Sequence, residues 1–220
     1  MSARHLALLI IDVQNDFVEG GSLSVPDGLS VISKVNMARA GLKTDAVFLS
    51  QDFHPANHCS FYTNNPGSVP FSTIQLEHGP QVMWPPHCVE GTGGADFVSS
   101  LTHKDSDVVI QKGRVQSVDS YSAFGDAYGK IYERTPLLDN LKALGITDVV
   151  VCGLALDYCV SYTARDAAAA GFNTYVIEDA TRGITPETVS SELALMATAG
   201  VTVVPTVTSL PLWMMGINLE

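Results

Sequence analysis

Short unbroken apolar runs alternate along the chain with stretches in which apolar residues recur every three or four positions. LALLII (6–11), AVFLS (46–50), VVIQ (108–111), DVVVCG (148–153), TYVIED (174–179) and VTVVP (201–205) have the length and β-branched content of buried strands. Between them, Leu29, Ile32, Val35 and Met37 fall at helical spacing, with Asp27 as a candidate cap and Gly41 as a stop. Thr135-Pro136 predicts the start of a second helix bearing Leu137, Leu138, Leu141 and Leu144, closed by Gly145. An Ala-rich helix follows the fourth strand as far as Gly171, and another opens at Thr185-Pro186. Strands that are apolar on both faces and separated by helices predict a doubly wound α/β fold, a mostly parallel sheet with helices on either side.

The exception to this rhythm is the interval 51–105, rich in Pro, Gly, His and Asn and without a clear period. A loop of that length inside a compact domain is usually functional. With 220 residues and no linker-like stretch, 1–220 reads as one domain. A formal charge of −11 argues against nucleic acid and anionic membrane as partners, since both require basic patches. The N-terminal apolar run is only six residues long, too short for a signal core or a membrane span. Four cysteines without a secretion signal are expected as thiols in a cytoplasmic protein.

In open parallel sheets, ligands bind beyond the carboxyl ends of the strands. Asp12 follows the first strand, Asp52 and His54 the second, and Lys112 the third; Cys159 lies just past the fourth. Singly, each would pass for a loop residue, but together they define one reactive edge. Cys159 is placed at the start of a helix, where the dipole and unpaired N–H groups favour a thiolate. Lys112 would lower its pKa further, Asp12 could accept its proton, and backbone N–H groups of the turn would face an oxyanion. Cys152, inside a strand, reads as a core residue, whereas Cys59 and Cys88 receive no role.

Asp52-Phe53-His54 places a carboxylate and an imidazole on the same side of an extended chain. His87, in Trp84-Pro85-Pro86-His87, can complete a set of two imidazoles and a carboxylate suited to Zn, Mn or Fe(II). His58 is near enough in sequence to be a fourth ligand or a supporting residue, while His5, His78 and His103 are assigned to the surface. Phe17, Trp84 and Tyr121 flank these groups and could wall a slot for a flat ring.

Taken together, IIDVQNDFVEGGSLSV (10–25), QDFHPANH (51–58), WPPHCVEGTGGADF (84–97), KGRVQSVDSYSAF (112–124) and GLALDYCVSYTARDA (153–167) resemble the nicotinamidases of the isochorismatase-like cysteine hydrolase superfamily. The resemblance spans essentially the whole chain. It implies a three-layer α/β/α sandwich, a triad of Asp12, Lys112 and Cys159, and one divalent ion, zinc first, on Asp52, His54 and His87. It also implies ring contacts from Phe17, Trp84, Tyr121 and Leu154, a cis peptide between Leu154 and Ala155, and an oxyanion site at the Ala155 and Cys159 N–H groups.

The implied activity is hydrolysis of nicotinamide to nicotinic acid and ammonia through a Cys159 thioester, serving NAD salvage; cleavage of pyrazinamide and assembly into a homo-oligomer are left open by the sequence. A related amidase acting on a carbamoyl or ureido substrate is the alternative, and such relatives typically lack the metal residues.

Overall fold

A computed structural model of the chain describes residues 4–125 and 134–217; the remainder of the expected 1–220 domain lies outside the described residues. Six strands form one sheet in the order β5-β2-β1-β6-β7-β8: β1 is Leu6–Ile11, β2 Ala46–Asp52, β5 Val108–Lys112, β6 Asp148–Leu154, β7 Asn173–Arg182 and β8 Thr202–Val204. Every pairing within this sheet is parallel. All six predicted strands are present, and several run further than their apolar runs. β2 continues through Asp52 and β5 through Lys112, so these two polar residues end their strands rather than follow them.

The central strand β1 is buried on both faces. Leu6, Leu8 and Ile10 enter one hydrophobic cluster; Ala7, Leu9 and Ile11 enter the other. The first face is covered by α1 (Ser30–Gly41) and by Leu210 and Met214 of the C-terminal segment. The second is covered by α2 (Leu137–Ala143), α3 (Ser161–Ala169) and α4 (Pro186–Thr198). These are the three layers of an α/β/α sandwich. At roughly 25 cal/mol per Å² of apolar surface buried, two such clusters are the main drive for folding.

Helix α1 departs from expectation. It begins at Ser30, three residues after Asp27, and buries Val31, Ile32, Val35 and Ala38, leaving Leu29 and Met37 about half exposed. Asp27 instead adopts a left-handed conformation and accepts the Ser30 hydroxyl through both its carbonyl and its carboxylate. In α2 only Leu137 and Leu141 are fully buried and Leu144 is exposed; Gly145 ends the helix with φ at 66°, as its position predicts. Thr185 caps α4 by accepting the Thr188 N–H at 3.2 Å.

The interval 51–105 contains an antiparallel hairpin, β3 (Thr73–Leu76) with β4 (Gly79–Val82), that the aperiodic sequence did not reveal. Among the described residues, no helix is long and apolar enough to cross a membrane.

Candidate active site

Parallel register brings Asp52 of β2 opposite Lys112 of β5, at the carboxyl ends of neighbouring strands. Asp12 sits just beyond β1, the next strand, in the left-handed region at φ 47°. That backbone bend is fixed by Ser50, whose hydroxyl donates to Asp12 Oδ1 at 2.6 Å. Lys112 Nζ, fully buried, lies 2.9 Å from Asp12 Oδ2 and 3.4 Å from Cys159 Sγ, and pairs closely with Asp52 Oδ1. One ammonium therefore joins two carboxylates and a thiol.

Cys159 belongs to a π-helical turn, Leu156–Val160, that precedes α3. Tyr158 and Val160 both donate their N–H to the Ala155 carbonyl at 3.1 Å, bracketing the Cys159 amide. The Leu154–Ala155 peptide is cis. Burial, the largest cause, pushes the Cys159 thiol up, Asp12 and Asp52 add to this, and Lys112 opposes it. A hydrogen bond between the Cys159 thiol and Asp12 adds to the upward push. Burial also raises Asp12 above the ordinary carboxylate range despite Lys112. Lys112 is itself held charged, since the paired carboxylates override its burial.

Asp52 has a second partner for its other oxygen. Oδ2 lies 3.5 Å from His54 Nε2 and 3.9 Å from His87 Nε2, and one ligand atom from each of the three residues lies within 4.8 Å of the others. The opposite ring nitrogens are engaged with main-chain carbonyls: His54 Nδ1 with Gly113 at 2.7 Å, His87 Nδ1 with Pro85 at 2.8 Å. Such bonds fix the tautomer and leave each Nε2 lone pair aimed at the shared space, which fits a divalent ion. Burial, the largest cause, pushes His87 down to about 4, whereas Asp52 raises His54 against its own burial. His58 stacks near His54, but its Nδ1 is taken by Ser60 Oγ at 2.8 Å and its Nε2 by the Val118 carbonyl at 3.1 Å. It supports the cluster without a nitrogen to spare.

A cavity opens over these groups, bounded by Cys159, Asp52 and His87 on its reactive side. Phe17, Trp84 and Tyr121 all line it, as their sequence positions suggest. Trp84 Nε1 donates to the Tyr121 hydroxyl at 3.1 Å, locking two of the aromatic walls together. Leu154 is fully buried in the core, and Ala155, not Leu154, faces the cavity. Sequence reasoning missed Asp119, Tyr158 and Ile184, which also line the space. Tyr158 adjoins Cys159 and could have been flagged; nothing in the spacing marks Ile184.

Gln14 was likewise missed. Its amide donates to the Asp52 and Ala95 carbonyls at 2.8 Å and accepts the Asp52 N–H at 2.8 Å. Two residues on, Asp16 accepts the Cys88 N–H at 2.7 Å. Alternate side chains of Asp12-x-Gln14-x-Asp16 thus serve the triad, the metal strand and the loop that carries His87.

Three comparisons agree with this geometry. The sequence profile described as Isochorismatase domain matches residues 6–207. The nicotinamidase of Acinetobacter baylyi is 44% identical over 182 residues, covering 83% of each chain. The solved nicotinamidase/pyrazinamidase of Acinetobacter baumanii superposes with a TM-score of 0.88 at 40% identity, covering 96% of this chain and 100% of that one. The pyrazinamidase of Pyrococcus horikoshii, solved in complex with zinc, superposes with a TM-score of 0.74 at 34% identity, covering 91% and 98%. The chain belongs to the isochorismatase family of α/β hydrolases.

Proposed function

We propose that the chain is a nicotinamidase, cleaving the carboxamide of nicotinamide to give nicotinic acid and ammonia, a step of NAD salvage. The observation that carries this reading is the single ammonium of Lys112 set between Asp12, Asp52 and Cys159 beneath an aromatic-walled cavity. It couples a nucleophile and its base to a metal-ligand set in one enclosed space.

Phe17 and Trp84 receive the flat ring, and the carboxamide carbon comes to rest at Cys159 Sγ. Asp12 takes the thiol proton as sulfur bonds to that carbon, and the carbonyl electrons move onto oxygen, facing the Ala155 and Cys159 N–H groups. When the C–O double bond reforms, the C–N bond breaks and Asp12 returns its proton to the departing ammonia. A water then attacks the thioester carbon, giving its proton to Asp12. The C–S bond breaks and the thiolate recovers the proton. Lys112 holds the negative charge through both halves. A divalent ion on Asp52, His54 and His87, zinc first with manganese or iron as alternates, supplies when bound a Lewis-acid seat for the ring nitrogen. Four unpaired cysteines suit a cytoplasmic enzyme. Pyrazinamide, a ring of the same size, is an expected second substrate.

Ammonia release from nicotinamide is the test, measured for the wild type, the chelated protein and Cys159→Ala. Turnover that requires both the metal and the thiol is expected; near-normal release by Cys159→Ala would overturn the scheme.

A further inference from the structure

A second groove runs along the outside of the catalytic cavity. It is an open groove lined by Pro26, Leu156, Arg182, Pro186 and Val189, among others. The two spaces meet along a seam visible in the chain itself. Val25 faces the cavity and its neighbour Pro26 the groove; Ala155 faces the cavity and its neighbour Leu156 the groove. Ile184 lines both.

The backbone on which Ile184 stands is held firmly. Asp157, two residues before Cys159, accepts the Ile184 N–H at 2.9 Å, the Thr185 N–H at 3.3 Å and the Thr188 hydroxyl at 2.5 Å. Gly183 leaves no room for movement by substitution: a Cβ there would lie 2.1 Å from Val189 Cγ2 and 3.1 Å from Asp157 Oδ1. The partition at this point is therefore a side chain on a fixed strut, not a mobile loop.

Resting on the amidase reading above, we infer that Ile184 is a specificity-determining residue, the wall that limits substrates to the unsubstituted ring. The space behind it would take a small alkyl group carried on a ring carbon of a pyridine carboxamide against Pro26, Leu156, Pro186 and Val189, with Glu178, Thr181, Arg182 and Thr185 completing the lining. Shortening Ile184 joins the two spaces; enlarging it narrows the cavity.

The experiment measures kcat/KM for nicotinamide and for nicotinamides bearing methyl or ethyl at each free ring carbon, using wild type, Ile184→Ala and Ile184→Phe. The ratio of substituted to plain substrate is expected to rise by about tenfold or more at one ring position in Ile184→Ala, the worth of one or two methylenes in a pocket. In Ile184→Phe the same ratio falls. Thermal melts of the variants separate folding defects from selectivity, and Ile184→Val supplies an intermediate step if Ile184→Phe does not fold. A ratio that stays flat across the variants while wild type is active overturns the role of Ile184 and leaves the amidase reading standing. Wild type that releases no ammonia from nicotinamide overturns both.

Discussion

Asp52 and Lys112 are cross-strand partners at the last rung of the β2–β5 ladder, and their side chains form the closest ion pair of the buried site. The pairing makes Asp52 a shared element, with one oxygen on the ammonium of the triad and the other facing two imidazoles. Chemistry at Cys159 and occupancy of the metal set are thus joined through a single carboxylate.

Removing the ammonium should cost stability as well as activity. Lys112→Met leaves Asp12 and Asp52 buried without their counter-charge. Breaking a buried pair in this way is expected to destabilise by about 3–5 kcal/mol. A urea titration checks this: an unchanged midpoint would show that the carboxylates do not depend on Lys112.

Gly113→Ala should act on the metal without touching a ligand. Gly113 sits at φ 66°, and a Cβ there would lie 2.3 Å from His54 Cε1. Both the strained backbone and the clash displace His54 and its bond to the Gly113 carbonyl. The purified variant should carry well under the wild-type complement of metal by elemental analysis, with the helix signal retained in circular dichroism.

Gln14→Leu keeps the volume but strands buried polar groups. The Asp52 N–H and carbonyl lose a partner, while the Ala95 carbonyl keeps the Gln51 amide. Each orphaned group costs about 1–3 kcal/mol. A lowered denaturation midpoint together with weakened metal retention is expected, because the same bonds hold the backbone of Asp52. Loss of stability with metal affinity intact would assign Gln14 to packing alone.

The pH profile follows from Asp12. Burial, opposed by Lys112, raises its pKa above the ordinary 3.8. The ionised form is the base, so it is complete well above the raised pKa and disappears as the pH falls through it. The acid limb of kcat/KM should therefore lie above the ordinary carboxylate value. A limb at or below 3.8 would remove Asp12 from the role of base.

Strand positions and the reactive edge were legible because buried parallel strands read as continuous apolar runs, and the first polar residue beyond each run marks the edge. Leu29 and Met37 misled because apolar spacing alone cannot tell which stripe of a helix meets the sheet; Val31 and Ala38 complete the stripe that does. Around Cys159, sequence shows the helix start and the lysine, whereas the burial that opposes them is a property of the folded cavity. Ile184 reaches the site from a segment whose local pattern carries no mark of it.

The order β5-β2-β1-β6 draws Lys112, Asp52, Asp12 and Cys159 from four adjacent strands or the turns just past them, segments far apart along the chain. No fragment ending before β6 contains the nucleophile, and none that begins after Asp12 contains its base. The site is complete only once the longest-range pairing, β1 with β6, has closed. Non-local pairings of this kind form slowly. During refolding, catalytic competence should therefore emerge late, after helical content has largely returned, which makes recovered activity a clock for the final docking of the sheet.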